Sequence, residues 1–356
     1  MRLPIEQILP ELRATLASRT GAVLVAAPGA GKTTRVPLAL LDEPWLAGMK
    51  ILMLEPRRIA ARAAARFMAA QLGETAGETV GYRVRLESRV GPRTRIEVVT
   101  EGVLTRMLQS DPALEGVGLV IFDEFHERSL QADLGLALAL QSQSLLREDL
   151  RLLVMSATLE AEPVAALLGG APYLVSEGRA FPVETRFLER PIEGRIEPAV
   201  VRTIERALRE EEGDLLVFLP GTPEIRRVES QLAERGIGGA STTAPSSAVA
   251  APCLRVLPLH GSLSAEAQDE AIAPGRPGER KIVLATAIAE TSLTVEGVRV
   301  VIDAGRMRLP RFSPRTGMTR LETLPVSRAA ADQRRGRAGR LGPGLCFRLW
   351  TEEQDR

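Results

Sequence analysis

Gly118-Leu119-Val120-Ile121-Phe122-Asp123-Glu124-Phe125-His126 is the stretch that decides the fold. Its apolar run does not alternate with polar residues, so the strand it forms must be buried on both faces, the condition of a parallel sheet covered by helices. The run ends in two adjacent carboxylates, with a histidine two positions further on. In open parallel sheets the C-terminal edge of the strands is where ligands bind. Neighbouring carboxylates repel unless a cation or a proton-transfer task separates their roles. Taken alone, Asp123-Glu124 reads more readily as a strand followed by an acidic helix cap.

A second stretch bears on that choice. Residues 21–27 form another unbroken apolar run, followed by Pro28-Gly29-Ala30-Gly31-Lys32-Thr33-Thr34 and an expected helix from about Lys32. Strand, glycine-rich turn and helix are the setting of a phosphate-binding loop. Gly29 and Gly31 let backbone N–H groups turn inward around an anion, and the helix N-terminus adds positive potential. Lys32 can reach terminal phosphates and Thr33 can ligate Mg²⁺. Ala26 stands where the strict motif has its first glycine. Of the 46 basic residues only Lys32, Lys50 and Lys281 are lysines, so a lysine in this turn is a residue that resists the arginine bias. With a phosphate loop present, Asp123 is expected to hold Mg²⁺ through water and Glu124 to polarise the attacking water as general base.

The same pattern of buried strand and helix recurs along the chain. Strands are expected at residues 50–54, 95–99 and 151–155, with helices at 5–18, 58–72, 102–109 and 130–143. Glu55-Pro56-Arg57-Arg58, Thr100-Glu101-Gly102 and Ser156-Ala157-Thr158 each follow a strand and so share the edge that carries Asp123. The rhythm breaks at 177–182, where a linker is expected, and then resumes. Strands are expected at 214–219, 255–259, 281–285, 298–302 and 344–350, with helices at 198–209 and 222–234. Residues 236–252 are small and polar and read as a mobile surface loop. The expected fold is α/β, with two similar tandem domains spanning 1–180 and 181–356, each a mostly parallel sheet with helices on both faces.

Composition narrows the function. The 356 residues carry 46 basic and 45 acidic side chains and no asparagine. Two cysteines and two histidines exclude a disulfide framework and make a zinc site untenable. No apolar run reaches the ~20 residues needed to span a bilayer, and no signal-peptide pattern opens the chain, so a cytoplasmic location without membrane attachment is expected. Charge is concentrated instead at residues 299–340, where eleven arginines face three carboxylates, as a phosphate-contacting surface requires. Within it, Gln333-Arg334-Arg335-Gly336-Arg337-Ala338-Gly339-Arg340 would set Gln333, Arg337 and Arg340 on one face of a helix. Two guanidinium groups and an amide there form the parts of an arginine-finger site, which stabilises charge on a transferring phosphoryl group.

Together these segments resemble the DEAH-box branch of the superfamily 2 RNA helicases, and its bacterial HrpB type in particular. The likeness runs through residues 29–34, 55–60, 100–102, 123–129, 156–158, 218–221, 259–263, 286–294 and 333–340, in order, and covers essentially the whole chain. Phe125 is a feature of the HrpB type. The resemblance implies two tandem RecA-like domains that form an ATP- and Mg²⁺-dependent motor moving 3′ to 5′ on RNA. Gly29, Ala30, Gly31, Lys32, Thr33, Thr34, Asp123 and Asp303 would line the nucleotide, with Thr291 and Ser292 nearby, and Glu124, Gln333, Arg337 and Arg340 would act in hydrolysis. His126, Ser156 and Thr158 would couple hydrolysis to domain closure. Arg57, Arg58, Thr100, Gly221 and Thr286 would contact RNA, with Arg85 a weaker candidate.

The chain departs from the family pattern at three points. Ala287 stands where the family usually has asparagine, Ile272 where eukaryotic relatives place an adenine-stacking aromatic, and the sequence given ends near Arg356 where the family continues into C-terminal domains, as either a fragment or a bare motor core. Two alternatives therefore stay open beside an RNA helicase. One is a DNA-directed translocase of the same superfamily; the other is a nucleotide-gated RNA-binding module with weak or no unwinding.

Overall fold

The computed structural model describes residues 3–27, 29–157, 162–176, 181–238, 253–290, 295–340 and 342–355. Chain contacts divide it into two compact units, Met1–Arg179 and Ala180–Arg356.

The first unit contains strands β1 (Gly21–Ala26), β2 (Lys50–Glu55), β3 (Val80–Val84), β4 (Glu87–Arg89), β5 (Ile96–Thr100), β6 (Val117–Phe122), β7 (Arg151–Ser156) and β8 (Tyr173–Ser176). Its helices are α1 (Leu9–Ser18), α2 (Lys32–Leu40), α3 (Arg58–Gln71), α4 (Glu101–Ser110), α5 (Leu130–Leu145) and α6 (Glu162–Leu167). The strands form one sheet in the order β4-β3-β5-β2-β6-β7-β1-β8, parallel throughout except at the β3–β4 hairpin. Successive residues of one strand enter different cores. Ala22, Leu24 and Ala26 pack with Leu12, Val36 and Met68 on one face, whereas Val23 and Val25 pack with Leu104, Phe122 and Leu136 on the other. Burial on both faces is why these strands read as unbroken apolar runs.

The second unit repeats the architecture. Strands β9 (Val183–Phe187), β10 (Asp214–Phe218), β11 (Cys253–Leu259), β12 (Glu279–Ala285), β13 (Val298–Asp303) and β16 (Gly344–Arg348) form an all-parallel sheet in the order β11-β12-β10-β13-β16-β9. Helices α7 (Glu197–Glu210), α8 (Thr222–Glu234), α9 (Ala265–Ile272) and α10 (Arg328–Arg335) accompany it. A separate antiparallel pair, β14 (Arg306–Ser313) with β15 (Met318–Pro325), lies largely exposed.

The structure revises several sequence expectations. The opening helix is split: a 3₁₀ turn, Pro4–Gln7, precedes α1. No single α-helix carries Gln333, Arg337 and Arg340, because α10 stops at Arg335 and Gly336–Gly339 forms a 3₁₀ turn. Two glycines disfavour α-helix there, and the tighter turn alters the spacing assumed for one face. Thr158, Thr291, Ser292, most of the expected linker and the loop at 239–252 lie outside the described residues. No helix among the described residues is long and apolar enough to cross a membrane.

Candidate nucleotide site

Parallel strands deliver their C-terminal residues to one edge, so the turns after β1, β2, β5, β6 and β7 meet there. Gly29 and Gly31 both adopt positive φ, 83° and 92°. The conformation of Gly31 favours glycine, and a Cβ there would also meet the Leu3 methyl at 2.7 Å. Ala30 N–H donates to Ala27 O and closes the turn. Gly31 then caps α2, which puts Lys32, Thr33 and Thr34 in the first turn, at the positive end of the helix dipole.

Across from this turn stand the β6 carboxylates. Lys32 Nζ lies 2.9 Å from Glu124 Oε1 and 4.0 Å from Asp123 Oδ1. Thr33 Oγ1 donates to Asp123 Oδ2 at 2.5 Å, and the Glu124 N–H donates to Asp123 Oδ1 at 2.8 Å. All four residues except Thr33 are buried. Burial, the largest influence on Lys32, would lower its ammonium, yet Glu124 and then Asp123 hold it above its ordinary value. Burial pushes Asp123 up, with Lys32 opposing.

Glu55, the last residue of β2, is a third carboxyl in this cluster that its sequence position did not mark as functional. The β2–β6 register pairs Leu54 with Phe122 and so brings Glu55 beside Asp123. Glu55 is fully enclosed, and neither carboxyl oxygen receives a hydrogen bond. Burial first, then the Asp123 and Glu124 charges, push its carboxyl well above the ordinary range.

His126 follows in a 3₁₀ turn, Phe125–Glu127. Its Nδ1 accepts the Ala157 N–H at 3.3 Å, just past Ser156 at the end of β7. Glu124 Oε2 lies 3.4 Å from the same nitrogen, and burial lowers the ring's pKa with Glu124 opposing. The turns after β2 and β5 also reach this segment. Arg57 Nη2 lies 3.3 Å from Glu127 Oε2, and Ser129 Oγ donates to Glu101 Oε1 at 2.6 Å. Arg58 is exposed and Thr100 is buried at the end of β5. Arg85, Gly102, Thr105, Arg106, Gln109 and Gln131 line a cavity of about 540 Å³ beside α4, so Arg85 joins the Thr100–Gly102 turn on one surface.

In the second unit, Arg334 is the organising residue. It is almost completely buried, with Nε 2.8 Å from Glu290 Oε2, Nη1 2.9 Å from Asp303 Oδ1 and its guanidinium 4.9 Å from the Phe218 ring centroid. Asp303 is wholly enclosed, and the Gly305 N–H also donates to its Oδ1. It braces β13 against α10. Arg337 donates twice to the Glu290 carbonyl, through Nε at 2.9 Å and through Nη2. Gln333 and Arg340 are half-buried on either side. Gly221 lies beneath the guanidinium of Arg308, and Thr286 follows β12. Ala287 opens a 3₁₀ turn, and Ile272 packs half-buried against the core. Arg334 and Glu290 carry no separate signal in the sequence, because their partners lie far away along the chain.

Among the described residues no three His, Cys, Asp or Glu side chains could by themselves hold a metal ion. A Mg²⁺ ion needs fewer, since it keeps several waters and takes other ligands from phosphates. The Thr33 hydroxyl and Asp123 carboxylate, 2.5 Å apart, and the unpartnered Glu55 oxygens suit a hard cation of that kind.

A phosphate loop apposed to an Asp-Glu strand end in one unit, and an arginine-rich turn in a second unit of like architecture, form the pattern of one large family. The DEAD/DEAH box helicase profile matches residues 6–167, and the helicase conserved C-terminal domain matches residues 199–342. The chain belongs to the DEAD/DEAH box helicases. It is 53% identical over 352 residues to the ATP-dependent RNA helicase HrpB of Escherichia coli strain K12, covering 99% of this chain and 42% of that one. It is 37% identical over 356 residues to the pre-mRNA-splicing factor ATP-dependent RNA helicase prp22 of Schizosaccharomyces pombe, covering 99% and 30%. Two crystal structures of E. coli HrpB match as well. One, described as a DEAH/RHA helicase, has a TM-score of 0.88 at 53% identity, covering 99% of this chain and 43% of that one. The other, described as a DExH-box NTPase, has a TM-score of 0.80 at 52% identity, covering 100% and 42%. Both units thus have the RecA-like helicase fold. The chain spans about two fifths or less of the curated relatives' length.

Proposed function

We propose that this chain hydrolyses ATP, with Mg²⁺, as the motor of an RNA helicase that moves 3′ to 5′. The observation that carries the reading is the pairing of Lys32 and Thr33 with Glu124 and Asp123 at one sheet edge. Lys32 is the residue for the terminal phosphates, and the loop N–H groups at 29–33 cradle the chain of phosphates. Thr33 and Asp123 would hold Mg²⁺, whose chemistry is to neutralise charge on the phosphate oxygens. Once a phosphate takes Lys32, Glu124 loses its counter-ion and can accept a proton from the attacking water. Gln333, Arg337 and Arg340 are assigned to stabilising the transferring phosphoryl group, and His126 with Ser156 and Thr158 to coupling. Arg57, Arg58, Thr100, Gly221 and Thr286 are assigned to RNA. A cytoplasmic location fits this reading. Ile272 offers no ring to a base, so several nucleoside triphosphates should be accepted.

Ala287 favours a second reading. With only a methyl at a position where the family carries an amide, RNA binding and hydrolysis would be coupled weakly, as in a nucleotide-gated RNA clamp. Hydrolysis and duplex unwinding measured side by side, on RNA and on DNA substrates, separate the readings. A helicase shows RNA-stimulated hydrolysis and RNA strand separation. A clamp shows nucleotide-dependent RNA binding without separation, and stimulation by DNA alone would contradict the RNA assignment.

A further inference from the structure

We propose that Glu127 is a positioning residue that ties RNA occupancy of the first unit to the placement of Glu124. The inference rests on the functional reading above. The segment it concerns is held under backbone strain at both ends. Glu124 has φ 49° and Arg128 has φ 46°, a left-handed region that side chains with a Cβ rarely occupy. Between them lies a single 3₁₀ turn, closed by the Glu127 N–H donating to the Glu124 carbonyl at 2.9 Å. A displacement of Glu127 is therefore passed directly to the peptide of the general base.

Besides His126, which accepts the Ala157 N–H, and the buried Phe125 ring against Phe122, two contacts on this segment come from the segments assigned to RNA. Arg57, in the turn after β2, meets Glu127 Oε2 at 3.3 Å, and Glu101, at the start of α4, accepts Ser129 Oγ–H at 2.6 Å. Glu127 Oε1 is enclosed and receives no hydrogen bond, so the carboxylate is only half satisfied by Arg57. Arg57 itself is partly exposed. A phosphate offers the guanidinium fork two parallel, charge-assisted bonds, a better match than one bond at 3.3 Å. An RNA phosphate at Arg57 and the Glu127 carboxylate compete for the same cation. RNA arrival releases Glu127, and the strained turn relaxes and carries Glu124 away from the Lys32-bound arrangement of the RNA-free chain. Linkage requires the converse: a chain whose turn is already released binds RNA more tightly.

The test is Glu127→Gln in the full chain, which keeps the side-chain volume and removes the charge that competes with phosphate. RNA-free turnover should rise about fivefold and a fluorescent single-stranded oligoribonucleotide should bind about fivefold more tightly, so the stimulation ratio falls while the nucleotide KM and melting temperature hold. Arg57→Gln approaches the pair from the other side and should raise RNA-free turnover while weakening RNA binding, a combination that simple structural damage does not produce. Wild-type RNA affinity and stimulation in Glu127→Gln, or a parallel fall of all rates with melting temperature in both variants, would overturn the inference. A wild-type chain without RNA-stimulated hydrolysis would overturn the functional reading and this inference together. Normal wild-type stimulation with an indifferent Glu127→Gln would overturn this inference alone.

Discussion

Lys32 donates to Glu124 at 2.9 Å and stands 4.0 Å from Asp123. The phosphate-loop lysine thus neutralises the carboxylate proposed as general base, and its ammonium lies among three buried carboxyls, those of Glu55, Asp123 and Glu124. Lys32→Met removes that cation and leaves buried charge uncompensated, which should destabilise the first unit by about 3–5 kcal/mol. Nucleotide affinity should fall at least tenfold, and Lys32→Arg should not restore it, because a planar fork does not replace a compact ammonium. Calorimetry and titration with a fluorescent ATP analogue check both statements.

Glu55 predicts the opposite sign. Its carboxyl is buried against Asp123 with no donor to either oxygen. Glu55→Gln keeps the shape, offers an N–H to Asp123 and removes the cost of holding a carboxyl that burial drives toward its neutral form. The nucleotide-free chain should gain about 1–3 kcal/mol, read as a higher melting temperature of the first unit. A lower melting temperature would mean that the site requires the Glu55 carboxyl itself for its fold.

Much of this architecture is legible in the sequence for one reason. Strands buried on both faces are unbroken apolar runs, so β1, β2, β6, β7, β10, β12 and β13 stand out within a residue or two. The hairpin β14–β15 does not, because it is exposed on both sides and has no apolar alternation to read. The turn after α10 misleads because a helical spacing rule was applied to a segment whose glycines favour a 3₁₀ turn. Lys32, Thr33, Asp123 and Glu124 could be named because each sits at the end of a recognisable element. Glu55, Glu290 and Arg334 matter through neighbours on other strands, and strand order is not written in local sequence.

Arg334 joins α10 to the segment that carries Glu290 and to β13. Its loss strands two buried carboxylates, those of Glu290 and Asp303. Arg334→Met should cost the second unit about 3–5 kcal/mol and leave the first unit's transition where it is. Calorimetry on the intact chain distinguishes this from a uniform loss.

Cys346 and Cys253 should respond oppositely to thiol reagents. Cys253 is exposed, whereas burial and the nearby Asp303 push the Cys346 thiol up to about 12. From the ordinary value of 9.0 up to about 12, the folded chain retains a proton that the unfolded chain has lost. This group therefore lowers stability as pH rises through that window and has no effect below it. Alkylation followed by mass spectrometry at pH 8 should label Cys253 alone, with Cys346 becoming reactive only in denaturant. Equal labelling of both in the native chain would contradict the packing around β16.

The assignment of Glu124 as general base is the centre of the account, and steady-state ATP hydrolysis by Glu124→Gln, with and without single-stranded RNA, tests it most directly. The variant keeps the volume and an acceptor for Lys32 while losing the basic carboxylate. Turnover should fall at least a hundredfold under both conditions, as loss of a general base predicts, while a fluorescent ATP analogue still binds. RNA-stimulated turnover at the wild-type rate in Glu124→Gln would contradict it.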